Sequence, residues 1–406
     1  MNASVEPSKL RPRGSNHVGM RQFNERVVLQ AIRLHGSVPK AEIARLTRLT
    51  PQTVQVIIAR LEADGLVTKL EPVRGKVGQP SVPMALNPDG GFSIGVNIGR
   101  RSMDMLLLDF TGAVRERLSL NYAFPEPDKL FEAIEQRIRL LTDSLPPKLR
   151  GRLHGLGVAA PLSLEGWQAV LGIGRKQAAK WSDIDIRERI VAMTDLPVEF
   201  VKDTAAACVA ELVAGRGRSI GSFLYVFIDT FIGGGLVIDS QLRAGLHGNA
   251  GAIGSLPLGL ARIGSSNAPD QLLSHASLVN LEARFAAGDL DVDAVADVRA
   301  MQRPWWPHTD RWLRDAAPAV AFAANSAACL LDLDGVVIDG SFSRELLGAT
   351  ITAVNHALDQ YSWEGVARPA VFEGTIGSDA RAIGGALLPL YANFAPDPEL
   401  FLKIGT

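Results

Sequence analysis

An internal repeat constrains this chain more than any other feature. The stretch FSIGVNIGRRSMDMLLLDFTGAVRERLSL, from Phe92 to Leu120, runs an apolar strand into a glycine-containing turn, a second apolar strand and a polar hairpin. GSFLYVFIDTFIGGGLVIDSQLRAG, from Gly221 to Gly245, follows the same plan. Short apolar runs bounded by turn residues are strand signals, and two copies predict two related lobes. Helical periodicity at Lys129 to Ser144, Ile186 to Met193, Thr204 to Ala214 and Ala317 to Leu331 makes the class α/β with mixed sheets. The cleft between such lobes is the expected ligand site.

At 406 residues the chain calls for two or three packed units, and 47% hydrophobic with 21% charged residues is ordinary for a folded protein. No apolar run reaches the roughly 18 residues of a membrane span, and Met1 to Gly19 is polar rather than signal-like. A cytoplasmic protein without membrane contacts is the expectation. Cys208 and Cys329 both sit in Ala-rich helical segments and are expected to be buried packing residues. Two thiols make neither a disulfide framework nor a zinc knot, so neither a metal nor a cofactor is expected.

Charge separates the N-terminal part from the rest. Residues 1–90 hold 13 Lys and Arg against 7 Asp and Glu, an excess of six within a chain whose net charge is −1. Residues 1–20 lack periodicity and are expected to form a mobile arm. Phe23 to His35 reads as a helix stopped by Gly36, and Pro39 opens a second with Ile43, Ala44 and Leu46 inward. Arg48 stands in the joint where a glycine is common, so a left-handed residue is expected there. In the third helix Thr50 is the cap and Pro51 suits the first turn. Val54, Ile57, Ile58 and Leu61 share its inner face, leaving Gln52, Gln55, Val56 and Ala59 outside. Gln can bond adenine with two hydrogen bonds and Val or Ala can touch a thymine methyl, so this uncharged face has the chemistry of base reading. LVTKLEPV and SVPMALNP read as two strands, with RGKVGQP as a basic wing between them. The expected contacts with double-stranded DNA are Thr50, Gln52, Thr53, Gln55, Val56, Ala59 and Arg60 from the helix, with Arg74 and Lys76 from the wing. Asn87 to Gly91 marks the boundary.

Together with this N-terminal unit, IGVNIG, GLGVAAPLSLEG, VKDTAAACVAEL and FIGGGLVIDSQLRAGLHGNAGAIG follow in an order that resembles the ROK family of repressors, open reading frames and sugar kinases. The resemblance, from about Phe23 to Ala395, is to the family's transcriptional regulators. It implies an N-terminal winged helix-turn-helix (21–90) followed by a two-lobed actin-like, sugar kinase/ribonuclease H-like ROK domain (91–406). Lobe one would take about 91–202 plus a final helix from 380–406, and lobe two about 203–379.

Against the kinase pattern several positions depart. Asn97, Gly99 and Arg101 replace an Asp-x-Gly-x-Thr phosphate turn, and Asp229 and Phe231 crowd the second phosphate turn. A sugar-binding Glu and a zinc-ligating His become Ala252 and Ser255, and Leu273 falls near a third sugar-binding carboxylate. His275 alone reads as a packed or surface residue. Asp203, beside Lys202, matches the kinases' general base. The implied effector residues are Gln177, Lys180, Lys202, Asp203, Asn249 and Ser255, with Arg175 and Lys176 nearby. Their charge favours an acidic or phosphorylated sugar over a neutral hexose. PWWPHTDRW, from Pro304 to Trp312, reads as an aromatic loop at an interface.

The expectation is therefore a non-enzymatic, sequence-specific DNA-binding regulator, in all expectation a repressor, of carbohydrate-related genes. It would form a dimer or tetramer and sense a sugar or sugar derivative. An active sugar kinase with a DNA module, and an effector-independent repressor or dimer scaffold, are the alternatives.

Overall fold

The computed structural model describes residues 17–72, 82–161, 174–261 and 268–396. The expected wing residues Arg74 and Lys76 lie outside them. The chain separates into two compact units, one ending at Leu86 and joined by Phe394–Pro396, the other running from Asn87 to Asn393.

The first unit contains α1 (His17–His35), β1 (Ser37–Pro39), α2 (Lys40–Thr47), α3 (Pro51–Ala63), β2 (Val67–Lys69) and β3 (Pro83–Leu86). Helix α1 begins earlier than periodicity suggested, so His17 to Met20 of the expected arm are helical. Arg48 adopts the left-handed conformation at φ 56°. Thr50 caps α3 by accepting a hydrogen bond from the Thr53 N–H at 3.1 Å. The helix ends when Leu66 N–H reaches Leu61 O at 2.8 Å and Gly65 N–H reaches Glu62 O at 3.0 Å, a Schellman closure that needs Gly65 at positive φ. Val54, Ile57, Ile58 and Leu61 are all buried, with Val28, Ile32 and Ile43. The strands are shorter than the sequence suggested, and β1 was not anticipated. It pairs with β3, Val38 opposite Met84, in a three-stranded antiparallel sheet of order β1-β3-β2.

The second unit holds two five-stranded sheets with one topology. The first has β4 (Phe92–Ile98), β5 (Ser102–Asp109), β6 (Val114–Asn121), β7 (Leu153–Ala160) and β8 (Val198–Lys202), in order β6-β5-β4-β7-β8. The second has β9 (Phe223–Ile228), β10 (Gly233–Ile238), β11 (Gln241–Arg243), β12 (Gly335–Gly340) and β13 (Ala370–Glu373), in order β11-β10-β9-β12-β13. In each, three antiparallel strands are extended by two more that run parallel to the first. The repeat seen in the sequence is thus a repeat of topology.

Helix α4 (Pro127–Ser144) sets Leu130, Phe131 and Ile134 into one core with Phe92, Ile94 and Val96. Helix α5 (Ile186–Val191) adds Ile190 to it. Helix α6 (Asp203–Ala214) follows β8 directly. On the second sheet α7 (Leu278–Ala287), α8 (Trp306–Leu331) and α9 (Arg344–Leu358) enclose a separate core. The aromatic segment expected as a loop forms the start of α8, and Trp312 is fully buried with its indole N–H donating to Ser277 O at 3.2 Å. Cys208 is buried as expected, but Cys329 is exposed, because the last turn of α8 runs beyond the core and leaves Leu330 81% accessible.

Helix α10 (Ala380–Phe394) lies directly on the first sheet. A Cβ on Gly157 of β7 would sit 1.8 Å from Gly385 O, and one on Gly384 would sit 1.7 Å from Ala206 O in α6. Ser93 on β4 donates its hydroxyl to Ala386 O at 2.6 Å. Main chain therefore meets main chain, and only glycine permits the approach. Gly157→Ala is expected to lower stability by about 1–3 kcal/mol or more, since the clash is with backbone that cannot rotate away. Gly348→Ala, in α9 where a Cβ meets nothing within 4 Å, should be neutral or stabilising by up to about 1 kcal/mol. Paired denaturant melts of the two variants read the difference.

Candidate functional site

Two features carry chemistry, one in each unit. In the first, α3 exposes Gln52, Gln55, Val56 and Ala59, with Val56 60% accessible although apolar. An exposed valine beside two glutamines suits contact with a base edge. Thr50 is exposed, and Thr53 is half-buried with its hydroxyl 2.8 Å from that of Thr50. Arg60 is exposed, but its guanidinium is held by Glu25 of α1 at 2.6 Å. A groove of about 580 Å³ between α1 and α3 is lined by Arg21, Asn24, Gln52 and Val56 among others. Arg21 and Asn24 were missed because they follow the segment read as a loose arm.

In the second unit a cavity of about 270 Å³ opens where the turns of the two sheets face each other. Arg100 enters from the β4–β5 turn, Lys202 from the end of β8, and Asp203 from the first residue of α6. Asp229, Thr230 and Phe231 come from the β9–β10 turn, and Asn249 and Ser255 from the segment after β11. The parallel strand β8 points its carboxyl end here, the usual position of ligands in α/β sheets.

The cavity is strongly polarised. Arg381 of α10 is 8% accessible, forms an ion pair with Asp229, and lies 5.5 Å from the Phe227 ring centre. Burial acts to lower the Arg381 pKa, but Asp229, Asp203 and Asp104 offset it and hold the guanidinium above its ordinary value. The Arg100 guanidinium lies 4.9 Å from the Phe231 ring centre. Burial pushes its pKa down, with Asp203 and Asp229 pulling the other way. The Asp203 carboxylate accepts the Thr204 N–H at 2.8 Å. Beside the cavity, Arg101 makes an ion pair with Glu282 of α7, a link between the first sheet's turn and the second sheet's helices. Asn97, 1% accessible, has no hydrogen-bond partner for either amide atom among the described residues.

The structure brings Lys202, Asp203, Asn249 and Ser255 together around this cavity. Gln177 and Lys180 are not among its lining residues, contrary to expectation. Trp181 is buried against Phe131 at 5.9 Å and donates its indole N–H to Pro125 O at 2.9 Å, which ties the segment to the start of α4. Lys180 is accordingly turned to the surface, paired with Glu126 at 2.6 Å. Arg175 and Lys176 are exposed on the short helix Arg175–Ala178. Leu273 does line the cavity, and His275 is half-buried, 3.5 Å from Asp270. Sequence reasoning missed Arg381 and Thr204, although a lone arginine in the otherwise apolar stretch ARAIGGALLPL was a visible signal.

These features can be set beside known proteins. The ROK family model matches residues 93–390 and a MarR family model matches residues 22–76. The chain belongs to the ROK family. Its N-terminal unit is a MarR-like winged helix-turn-helix, and its second unit is the actin-like ROK fold. A putative xylose repressor of Caldicellulosiruptor sp. (strain Rt8B.4) is 25% identical over 244 residues, 60% of this chain and 60% of that relative's length. A glucokinase of Halalkalibacterium halodurans is 24% identical over 334 residues, covering 73% of this chain and 94% of the kinase. The crystal structure of a ROK family transcriptional regulator, described as a homologue of the E. coli MLC protein, has a TM-score of 0.63 at 19% identity and covers 93% of this chain and 98% of that one. This last likeness establishes the fold.

The Arg381–Asp229 pair should be coupled energetically. Arg381→Met alone is expected to cost about 1–3 kcal/mol, because it leaves the half-buried Asp229 carboxylate without its partner. Adding Asp229→Asn should restore part of that loss. Equilibrium unfolding of the two single variants and the double variant measures the coupling, and strictly additive losses would contradict it.

Proposed function

We propose that this ROK protein is a sequence-specific transcriptional repressor of carbohydrate-related genes, with a small carbohydrate bound in the cavity of its second unit as effector. The observation that carries the reading is the uncharged, solvent-facing surface of the capped helix α3, with Gln52, Gln55 and Val56 exposed. The excess of Lys and Arg in residues 1–90 supplies the attraction to phosphates that such a surface needs. The name of the Caldicellulosiruptor relative supports a repressor of sugar-related genes. A protein with this role works in the cytoplasm, and no helix among the described residues is long and apolar enough to cross a membrane.

Self-association as a dimer or tetramer follows from the same reading. Two subunits would present two α3 helices to half-sites related by a two-fold axis. An effector changes DNA binding only by its differential affinity for the DNA-competent and DNA-incompetent arrangements. Arg101–Glu282 and Arg381–Asp229 are contacts through which a ligand in the cavity could bias the two sheets.

A sugar kinase with a DNA module is the second reading, favoured by Asp203 in the cavity and by the glucokinase relative. It demands a nucleotide and its metal. Asn97 stands where the family resemblance implies a metal-holding carboxylate. Asp229 and Phe231 line the cavity from the turn that phosphates would approach, and Arg381 pairs with Asp229 there. The donor set does not fit a metal-bound nucleotide, which supports the regulator.

Gln52→Ala and Gln55→Ala should each relax sequence preference by roughly 1–3 kcal/mol while leaving binding to random duplex unchanged. Arg74→Ala and Lys76→Ala should weaken binding to every duplex and flatten the salt dependence by roughly one counterion each. Fluorescence anisotropy on a cognate and a scrambled duplex over a salt series separates the two patterns. Equal weakening on both duplexes by the Gln variants would remove the base-reading role.

A further inference from the structure

Among the described residues that line the groove between α1 and α3, Arg60 is the one charged side chain that α3 supplies, and its neighbours there include Gln52, Thr53 and Val56. Its Nη1 donates to Glu25 Oε1 at 2.6 Å, a bond between side chains 35 residues apart in the sequence. The Glu25 side chain is 18% accessible and that of Arg60 42%. The carboxylate is thus the more withdrawn partner, and the guanidinium stands toward solvent. A long side chain on a helix leans over the preceding turn, which brings the head of Arg60 beside Val56.

This pairing decides what Arg60 can recognise. A guanidinium is a rigid fork of five N–H donors, and the bond to Glu25 is made from Nη1. The Nε–Nη2 edge presents two parallel donors, a geometry that matches O6 and N7 of guanine in the major groove. A neutral base edge tolerates a carboxylate behind the arginine. A DNA phosphate is repelled by that carboxylate, which cancels much of its attraction to Arg60. Arg21 is placed differently. Its Nε is 3.9 Å from the same Glu25 oxygen, beyond hydrogen-bond distance, and its side chain is 52% accessible on the opposite wall of the groove.

We infer that Arg60 reads a guanine in the half-site, that Glu25 positions it, and that Arg21 contacts the phosphate alongside. The inference rests on the proposal that α3 reads DNA, and it adds one G·C pair to the adenine and thymine chemistry of Gln52, Gln55 and Val56. Glu25 acts in two ways. It holds the fork in one orientation before DNA arrives, so less side-chain freedom is lost on binding. Its charge also opposes any phosphate that enters the groove, which keeps binding to non-cognate duplex weak.

The test uses the full-length protein and a duplex enriched by it from a random pool. Each G·C pair of the half-site is changed in turn to A·T, and a scrambled duplex serves as control, with fluorescence anisotropy read over a salt series. Each variant is measured well below its own unfolding midpoint, so that a lost fold is not read as a lost contact. The unsubstituted protein is expected to lose about tenfold or more in affinity at one G·C pair. Arg60→Ala and Arg60→Lys should both reduce that loss to about twofold or less, with the losses at other pairs unchanged. Lysine keeps the charge without the fork, so it would rescue a phosphate contact but not a guanine contact. Glu25→Gln should shrink the discrimination at the same pair to about threefold or less, while raising affinity for the scrambled duplex and steepening the salt dependence. Arg21→Ala should weaken every duplex alike and flatten the salt dependence by roughly one counter-ion. Full rescue by Arg60→Lys, or equal weakening of all duplexes by Arg60→Ala, would make Arg60 a phosphate contact and overturn the inference. Unchanged discrimination and salt dependence in Glu25→Gln would reduce its bond with Arg60 to a tie between helices and overturn the positioning role. Arg21→Ala without effect on the scrambled duplex would overturn the phosphate role. Enrichment of a sequence with no pair sensitive to Arg60 would defeat this inference alone, whereas enrichment of none would defeat the DNA-reading proposal with it.

Discussion

The second unit depends on a contact that has no side chain in it. Helix α10 rests with Gly384 and Gly385 on the main chain of α6 and β7, close enough that a single methyl group would collide with a carbonyl oxygen. Such a seat has no flexible side chain to yield, so the helix has little freedom to shift on the sheet. The consequence is felt in the cavity. Arg381 sits one turn before these glycines and is carried to a fixed place opposite Asp229, on the other sheet's first turn. A packing requirement one turn along the helix thereby sets the electrostatics of the cavity.

What the sequence disclosed was local or periodic. Thr50, Pro51 and Arg48 act on their own neighbours, so the cap and the left-handed joint of the first unit could be read directly. The buried and exposed faces of α3 followed from residue spacing. The doubled strand pattern was legible because both copies use the same apolar strands and glycine turns, and the two sheets share strand order. Features that depend on distant partners were hidden. Strand β1 exists because Val38 meets Met84, and Lys180 is at the surface because Glu126 and Trp181 hold it there. The Trp-rich segment was misread because three tryptophans suggested a surface, while Pro307 in the first turn of a helix was the better clue. Cys329 shows the limit of composition, since an Ala-rich helix can extend past the core that its alanines imply.

On the reading proposed above, the cavity of this kinase-like fold serves a sensor. An opening for phosphates needs small residues that let backbone approach and a carboxylate to hold a cation. Here the Arg381–Asp229 ion pair and Phe231 line the cavity, and Asn97 is an amide where the family resemblance implies a carboxylate. The polar floor around Asp203 is left, with cations above it. Such a site can bind and discriminate a ligand. Contacts between the sheets, Arg101 with Glu282 and Arg381 with Asp229, give binding there a physical connection to the relative placement of the two sheets.

The central claim is that the chain reads DNA as a symmetric assembly through α3. Selection of bound duplexes from a random pool by the full-length protein, followed by sequencing, tests it most directly. The account predicts an enriched sequence of two inverted half-sites whose centres lie about one helical turn apart, roughly 34 Å, or a multiple of it. Enrichment of no sequence, or of one without two-fold symmetry, would contradict it.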